Sequence, residues 1–498
     1  MAAADPLNPM ENEQIVLFLV FVPVLGSLIL PPAGWISCRL RNTLALLWIL
    51  VSLVSSLALI PSVYSGAAVS VDFNFGFGPH FFLADRLAVF MASMSSLVSA
   101  IIVFYSFGYI SHYENQNEYY FMVVLFLGSM MGLIFSANLI LLYVFWELTA
   151  ITSWRLIGFF REPQHVLRAD KAFLMTFFGA LLMLIGFFDI YQQTGSFDMV
   201  VIKEYFQNHP TSTVSNLAVL LILFGLLAKS ATLPLQTWLP DAGVAPSPVT
   251  ALLHAAILVK IGVYVYARLL VVTFPVEEIW HTVVPAIAAV SALVAAGAAL
   301  VETDLKRLIA YSTISQIGFI FLGLSIGSAA NPEANEMALA GALLYILMHG
   351  LAKGGLFLCA GIVEQNTRTK DITRLGGLIS TMPITAVSFL VCAFSVMGIP
   401  PLGGFFSKYF VLAGALTSDH LWMTLAFVVC AFLTIIYLMR VFTMVFMGTG
   451  QTIGRREGSP FMLISVALLA VLSLVGGIFI SPSFDFARGA VQQMAGGF

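Results

Sequence analysis

Charged residues are scarce in this chain of 498 residues. Only 9% of the residues are Asp, Glu, Lys or Arg, and 60% are hydrophobic, whereas a soluble globular protein carries about 25% charged residues. This composition excludes an ordinary soluble domain. A helix needs about 20 apolar residues to cross the hydrocarbon core of a bilayer, and the sequence contains about fourteen such windows. It therefore predicts an all-α polytopic membrane protein with about 14 transmembrane helices.

Cysteine is also scarce, and no cofactor motif is present. The four cysteines, Cys38, Cys359, Cys392 and Cys430, stand singly, without CxxC or Cys/His spacing, which argues against a disulfide framework, an iron–sulfur site and structural zinc. No GxGxxG or flavin signature occurs. We expect no cofactor and no metal site, and we expect that this chain oxidises no substrate alone.

The placement of charge favours one topology. The leader MAAADPLNPMENEQ is acidic and lacks a positive n-region, so the first apolar window is predicted to be a membrane span and not a signal peptide. If both termini lie outside, the inside loops collect most of the positive residues. These are Arg39, Arg41, Arg161, Arg168, Lys171, Lys306, Arg307, Arg368, Lys370, Arg374, Arg455 and Arg456. One inside segment, HYENQNEYY, is acidic and fits this topology badly.

Two apolar windows are interrupted by prolines. The stretch 229–260, KSATLPLQTWLPDAGVAPSPVTALLHAAILVK, contains four prolines, and FSVMGIPPLGGFFSKYF in the second half contains two prolines beside two glycines. A proline inside a helix removes a backbone donor and clashes with the preceding turn. Broken helices are tolerated at membrane depth where they line a polar cavity or pack inside protein. Each half is therefore predicted to contain one broken helix.

The spacing of the breaks indicates a repeat. They fall in the fourth helix of windows four to eight and of windows nine to thirteen, and five helices per unit give the two units opposite topology. We predict two inverted five-helix repeats. The domains expected from the sequence are helices 1–3 (1–110), the first repeat (111–272), the second repeat (273–450), and a last helix with a tail (451–498).

Half of the lysines lie inside predicted spans. Of the eight in the chain, Lys229, Lys260, Lys353 and Lys408 do so, although a charge at the bilayer centre costs about 2.5–3.5 kcal/mol on insertion scales. Glu147, in the middle of LILLYVFWELTAITSW, must also find a partner, and Lys229 is the natural one. A buried lysine carries protons well, because desolvation and a nearby carboxylate move its proton affinity in opposite directions.

Two histidines extend this set. His254 and Lys260 are six residues apart, so they project about 120° apart on a helix and are able to bridge two neighbouring helices. His349 and Lys353 are four residues apart and share a helix face. Together with Glu147 and the other lysines, they are the candidate transport residues.

Other polar residues have ordinary explanations. Asp85 and Arg86 fit a helix cap or local pair, and Arg155 fits a snorkelling side chain at the interface. Asp241, beside Pro240, is either a cap or a functional acid. A solvated helix start is favoured for the charged residues Glu302, Asp304, Lys306 and Arg307. Packing between helices is favoured for the hydroxyl and amide residues Tyr311, Ser312, Ser315 and Gln316.

Four strings carry a family resemblance: FWELTAITSW, KSATLPLQTWLPDAGVAPSPVTALLHAAILVKIGVY, DLKRLIAYSTISQIGF and GIPPLGGFFSKYF. Over residues 80–450 the chain resembles the antiporter-like subunits of the complex I superfamily. That superfamily includes subunits of NADH:quinone oxidoreductase, Mrp cation/proton antiporters and membrane-bound hydrogenases. The resemblance implies roles for seven residues. Glu147 and Lys229 would form the coupling pair, Lys260 with His254 the central relay, His349 and Lys353 its continuation, and Lys408 the terminal proton carrier.

The chain also departs from its relatives. Gln236 and Tyr345 stand where many or some relatives carry histidine, so the inner relay is expected to depend more on water. Lys408 matches the branches that end in lysine rather than glutamate. From the short stretch after the last window, we expect neither the long lateral helix of the distal complex I subunit nor the extra C-terminal spans of the largest Mrp subunit.

The leading interpretation is a proton-translocating subunit of a complex I-related respiratory assembly of the NADH:quinone oxidoreductase or hydrogenase type. Its implied partners are redox subunits, homologous antiporter-like subunits and lipids, in a prokaryotic cytoplasmic or equivalent energy-transducing membrane, with no nucleic acid. The alternative is a subunit of an Mrp-type Na⁺/H⁺ antiporter. A third interpretation, a non-pumping scaffold, is disfavoured because four buried lysines cost stability.

Overall fold

A computed structural model describes residues 9–73, 78–326, 332–417, 421–448 and 457–496. Within these ranges, twelve helices are long and apolar enough to cross a membrane. Two shorter apolar helices, Asn216–Lys229 and Pro383–Met397, begin the two spans predicted to be broken. Together they account for the fourteen predicted windows.

The N-terminal part contains helices and one hairpin. The helices are α1 (Pro9–Ser27), α2 (Leu30–Ile36), α3 (Cys38–Ala58), α4 (Ile60–Tyr64) and α5 (Arg86–Tyr109). The hairpin consists of the antiparallel strands β1 (Val69–Asp72) and β2 (His80–Ala84). These strands are short, with four and five residues, and are defined by their pairing with each other.

The next group of helices contains the first break. The helices are α6 (Gln116–Phe135), α7 (Leu139–Ile157), α8 (Pro163–Thr194), α9 (Met199–Asn208), α10 (Asn216–Lys229), α11 (Trp238–Asp241), α12 (Ser247–Ala251) and α13 (Leu258–Tyr266). The helix that begins at Asn216 stops at Lys229, and helical structure resumes at Trp238. Two π-helical segments, Leu252–Ala256 and Ala267–Thr273, flank α13. The predicted break is therefore present.

The second break lies in the following group. The helices are α14 (Trp280–Val301), α15 (Leu305–Ser325), α16 (Pro332–Thr367), α17 (Pro383–Met397), α18 (Gly403–Leu416) and α19 (Leu421–Phe446). Gly398, which ends α17, has φ +83°, a conformation that favours glycine after a helix. The break therefore separates α17 from α18, as the prolines predicted.

Two helices complete the described chain, α20 (Pro460–Ile478) and α21 (Ile480–Gly496). The predicted tail is thus a helix, and it packs against α5 and α16. The division into domains stays a prediction, and its boundary at residues 450/451 lies outside the described residues. Arg455 and Arg456 of the charge argument lie outside them as well.

The centre of the bundle is formed by the spans that carry the buried charges. In α15, in α16 and in the segment Ser247–Thr273, 94% of the apolar window is buried, compared with 39% in α8 and α19. In helix α5, 83% of the apolar window is buried. Lys260, His349 and Lys353 therefore lie inside the bundle, away from lipid.

The second break packs tightly against α20. A Cβ atom at Gly477 would lie 2.2 Å from the carbonyl oxygen of Pro401 and 2.4 Å from the nitrogen of Gly403. We expect Gly477→Ala to destabilise the protein by about 1–3 kcal/mol, because overpacking displaces the backbone of the break. The measurement is the thermal midpoint in detergent.

Gly297 of α14 is the matched control, because a Cβ there meets no atom within 4 Å. Gly297→Ala should leave the midpoint unchanged or raise it slightly, since alanine favours helix more than glycine does. Equal midpoints for the two variants would contradict the close packing.

Candidate functional site

Within the described residues, five lysines are buried: Lys229, Lys260, Lys306, Lys353 and Lys408. Each donates to a main-chain carbonyl. The acceptors are Trp146 at 3.1 Å, His254 at 3.1 Å, Ala245 at 3.0 Å, Ile309 at 3.1 Å and Val396 at 2.6 Å, respectively. Backbone oxygens thus replace water around these amino groups.

Glu147 and Lys229 are neighbours, but they do not form the expected ion pair. Lys229 ends α10, donates to the carbonyl of Trp146 and lies 5.1 Å from the centre of the Trp146 ring. The Oε1 atom of Glu147, the next residue of α7, is buried without a hydrogen-bond partner. The carbonyl and the indole face of Trp146 therefore hold the amino group of Lys229, and no salt bridge to Glu147 is present among the described residues.

Lys260 joins two spans at the centre of the bundle. Its Nζ atom lies 2.5 Å from Nδ1 of His349 on α16. His254 lies in the π-helical segment before α13, and its carbonyl accepts the hydrogen bond from Lys260. Both ring nitrogens of His254 and Nε2 of His349 are buried without a hydrogen-bond partner. The predicted grouping of His254, Lys260 and His349 is therefore present, with Lys260 in direct contact with His349.

Lys353 connects this centre to a network of hydroxyl and amide groups. Its Nζ atom donates to Oγ of Ser312 at 2.6 Å, and the Tyr437 hydroxyl lies 2.9 Å from the same oxygen. Thr434 lies within 3.2 Å of both Tyr437 and Gln316. The Tyr345 hydroxyl donates to Oε1 of Gln316 at 2.6 Å. These contacts link α15, α16 and α19.

Lys408 lies at the far end of this network. Its Nζ atom donates to the carbonyl of Val396 at the end of α17, and it lies 4.6 Å and 5.6 Å from the ring centres of Phe319 and Tyr345. Carbonyls in the last turn of a helix lack an intrahelical partner, so the broken helix supplies the acceptor for its own lysine. We use the name polar axis for the seven predicted site residues together with this network of hydroxyl and amide groups. The seven are Glu147, Lys229, His254, Lys260, His349, Lys353 and Lys408.

Ser312 and Gln316 form hydrogen bonds between helices, as the packing interpretation holds, and their partners include Lys353 and Tyr345. Tyr437 and Thr434 were not singled out at all. The only signal was a tyrosine within the apolar window LTIIYLMR. Ser315 Oγ and Gln236 Oε1 are buried without a hydrogen-bond partner.

One buried ion pair lies away from the axis. Asp85 caps α5 through the backbone nitrogen of Ala88, as expected, but it pairs with Arg268 and not with Arg86. Both terminal nitrogens of the guanidinium group contact the carboxylate, at 2.6 and 2.7 Å, and both side chains are at most 4% exposed.

Breaking a buried pair from one side leaves an uncompensated charge and costs about 3–5 kcal/mol. We expect Asp85→Asn to lower the thermal midpoint in detergent strongly. Glu336→Gln removes the partly exposed pair with Arg488 and should cost about 0–1 kcal/mol. Equal effects of the two variants would show that the Asp85 pair is not structurally important.

Ion pairs gather at one end of the bundle. Glu118 bonds to Arg155 and Arg161, and Arg41 donates to Asn117 and Gln116. We call this the basic end, defined by Arg41, Arg155, Arg161, Lys306 and Arg307. Glu118 belongs to the acidic segment that fitted the topology badly, and its arginine partners explain why that segment lies there. Arg155 is thus paired and does not simply reach the interface.

Asp241 binds two cations and does not cap a helix. It lies 2.7 Å from Lys171 of α8 and 2.7 Å from Arg307 of α15. Partial burial alone raises the pKa of Asp241, but the hydrogen bonds and charges of these two cations outweigh it and lower the pKa below its usual range. The carboxylate therefore holds the segment after the first break against both helices.

This shift predicts a pH dependence. A carboxyl group with a depressed pKa stabilises the folded protein above its unfolded pKa of about 3.9, and the contribution is lost as pH falls through the depressed value. At pH 7 Asp241→Asn should have a lower thermal midpoint than the wild type. The difference should shrink as pH is lowered below about 4. A difference that grows on acidification would contradict the ion-pair account.

Within the described residues, no group of three or more His, Cys, Asp or Glu side chains is arranged to hold a metal ion. The polar axis consists mainly of amino, imidazole and hydroxyl groups. These groups exchange protons, and a protonated amino group has no lone pair with which to bind a cation.

Comparison with known proteins adds three findings. The sequence profile of the family described as "NADH:quinone oxidoreductase/Mrp antiporter, TM" matches residues 136–434. The Na(+)/H(+) antiporter subunit A1 of Staphylococcus aureus is 33% identical over 489 residues, which cover 92% of this chain and 60% of that protein. The same subunit in strain Newman matches equally well. The chain spans only 60% of the length of these relatives.

Two solved structures share the fold. A chain of the Mrp complex from Dietzia sp. has a TM-score of 0.86 at 21% identity, with 97% of each chain covered. A chain of the membrane-bound sulfane sulfur reductase, an archaeal respiratory membrane complex, has a TM-score of 0.86 at 24% identity, with 97% of this chain and 98% of that chain covered. At these identities the likeness shows the fold alone.

Proposed function

This chain is a multi-pass membrane protein that belongs to the NADH:quinone oxidoreductase/Mrp antiporter family, and we propose that it carries protons along its polar axis as one subunit of a larger membrane complex. The hydrogen bond of 2.5 Å between Lys260 and His349 carries this proposal. It joins two groups that both gain and lose protons, on two different spans, at the buried centre of the bundle.

The arrangement gives a sequence of proton transfers. When Lys260 is protonated, it donates to Nδ1 of His349, so the neutral imidazole carries its own proton on Nε2. Passing a proton to Nδ1 makes an imidazolium, which releases the Nε2 proton toward Lys353, one turn further along α16. The hydroxyls of Ser312 and Tyr437 then offer hydrogen-bonded positions toward Gln316, Tyr345 and Lys408.

Glu147 and Lys229 are the proposed control point. The carboxylate oxygen of Glu147 without a partner and the nearby amino group of Lys229 attract each other at low dielectric. Closing this pair would hold the proton on Lys229, and opening it would release the proton toward Lys260. A neighbouring subunit that moves α7 or α10 would therefore couple its own reaction to proton movement here.

One observation favours a second candidate for the whole assembly, a Na⁺/H⁺ antiporter. The relative that matches 92% of this chain is named as an antiporter subunit. The respiratory alternative is supported by the fold alone, because a chain of the archaeal respiratory complex has the same fold as this chain. In either assembly we propose that other membrane subunits bind this chain and, in the respiratory one, that redox subunits supply the energy.

The test uses inverted vesicles that hold the whole native assembly. A pH dye and radiolabelled Na⁺ are followed together, with and without an electron donor. Lys260→Ala should abolish proton movement, while Lys370→Gln, which removes a surface partner of Asp304, should not. Wild-type proton movement in Lys260→Ala would refute the function. Donor-driven acidification identifies the respiratory assembly, and Na⁺-dependent proton exchange without a donor identifies the antiporter.

The hydroxyl network generates a further prediction. Ser312→Ala removes the oxygen between Lys353 and Tyr437, so proton movement should fall about a hundredfold, the lower end of the range by which positioned proton-transfer groups contribute. Ser325→Ala is the control on the same helix, because that hydroxyl bonds only to the carbonyl of Phe321 in its own helix. If the two variants transport equally well, protons do not pass through Ser312.

A further inference from the structure

One buried lysine plays no part in the proposed transfers. Lys306 was expected at a solvated helix start, yet its side chain is 2% exposed. Its Nζ atom lies 2.8 Å from Oε2 of Glu364 and 3.0 Å from the carbonyl of Ala245. The Glu364 side chain is 26% exposed. The pair therefore joins a buried amino group to a carboxylate that reaches the surface of the basic end.

Glu364 lies on the face of α16 that carries the polar axis. Lys353 precedes it by about three helical turns, or about 16 Å along the helix, so the two residues point in nearly the same direction. His349 lies one further turn away on that face. Between them, Phe357 packs on the ring of His254, with 4.3 Å between the ring centres. We call the stretch of this face from Glu364 to Phe357, against which His254 packs, the path, and it is about 10 Å long.

Hydroxyl groups occupy the first part of the path. Oγ of Ser247 lies 3.3 Å from Oε2 of Glu364. At Gly361 a Cβ atom would lie 2.8 Å from the Tyr105 hydroxyl and 2.9 Å from Oγ of Ser247, so the absent side chain leaves both groups against α16. Tyr105 donates to the carbonyl of Leu358 at 3.0 Å. His254, at the other end, has two buried ring nitrogens without a partner.

We propose that Glu364 is the port through which the polar axis exchanges protons with water at the basic end. The inference depends on the proposed function. A proton from water adds to the carboxylate, passes by way of Ser247 and water to the imidazole of His254, and leaves an imidazolium and a restored carboxylate. Lys306 holds the carboxylate in position. An ion pair whose sole role was to hold α15 against α16 would need neither the nearby hydroxyls of Ser247 and Tyr105 nor a His254 ring without hydrogen-bond partners.

The test compares Glu364→Gln with the wild type in vesicles that hold the native assembly, at a series of pH values on the side of the basic end. The amide keeps the size of the side chain but cannot carry the proton. We expect transport at pH 8 to fall at least about a hundredfold, as for loss of a positioned proton-transfer group. The remaining rate should rise about tenfold per pH unit of acidification, because protonation from bulk water becomes limiting. Glu364→Asp should retain a flatter, wild-type profile.

Glu336→Gln is the matched control, since it lies on the same helix at the opposite end and should keep the wild-type rate. A wild-type rate and profile in Glu364→Gln would overturn the port. A loss of transport with an unchanged pH profile would also overturn it and assign Glu364 to packing. Lys353→Ala separates the two proposals. If that variant is inactive while Glu364→Gln is normal, only the port fails, and if Lys353→Ala is active, the axis itself fails.

Discussion

An amino group inside a bilayer needs oxygen atoms around it, and this requirement organises the protein. Desolvating a charge costs several kcal/mol even after relaxation, and carboxylates are too few here to compensate. Of the five buried lysines, Lys306 alone is ion-paired to a carboxylate within 4 Å in the described part of the chain. Main-chain carbonyls bind all five. Carbonyl dipoles lower the free-energy cost of burying the charge but hold the ammonium group less strongly than a carboxylate would. Each lysine is therefore able to lose its proton.

The irregular parts of the helices follow from this requirement. Lys408 bonds to a carbonyl at the end of α17, and Lys260 bonds to one in a π-helical segment. Lys229 ends α10 at the first break. A regular helix would engage the carbonyls of Val396 and His254 in its own ladder, so the second break and the π-helix provide acceptors for the lysines. The acceptors of Lys229 and Lys353, by contrast, lie within the regular helices α7 and α15. The scarcity of ion pairs inside the bundle contrasts with the basic end, where Asp241 and Glu118 bind cations tightly.

Much of this could be predicted from the sequence, because the bilayer imposes strong local rules. Apolar length located the spans, and prolines located both breaks. The cost of burying charge identified the lysines of the axis. The features that the sequence did not predict are contacts between helices that lie far apart in the sequence. Nothing near Tyr437 indicates that its hydroxyl reaches Ser312, more than a hundred residues away. Lys306 follows Asp304 in a typical helix start, yet the approach of α16 buries it. Glu147 and Lys229 are neighbours, but Lys229 bonds to the carbonyl of Trp146 and lies against its indole ring, a detail that depends on side-chain packing.

The central claim is that the buried lysines release their protons during transport and do not merely supply positive charge. Replacing Lys260 with arginine tests this claim directly, because a guanidinium keeps the charge and the hydrogen bonding but does not deprotonate in proteins. The measurement is the rate of proton movement in vesicles that contain the assembled complex with Lys260→Arg. The account predicts no transport above the background of sealed vesicles that lack the complex. Transport at the wild-type rate would show that Lys260 acts as a fixed charge and would contradict the account.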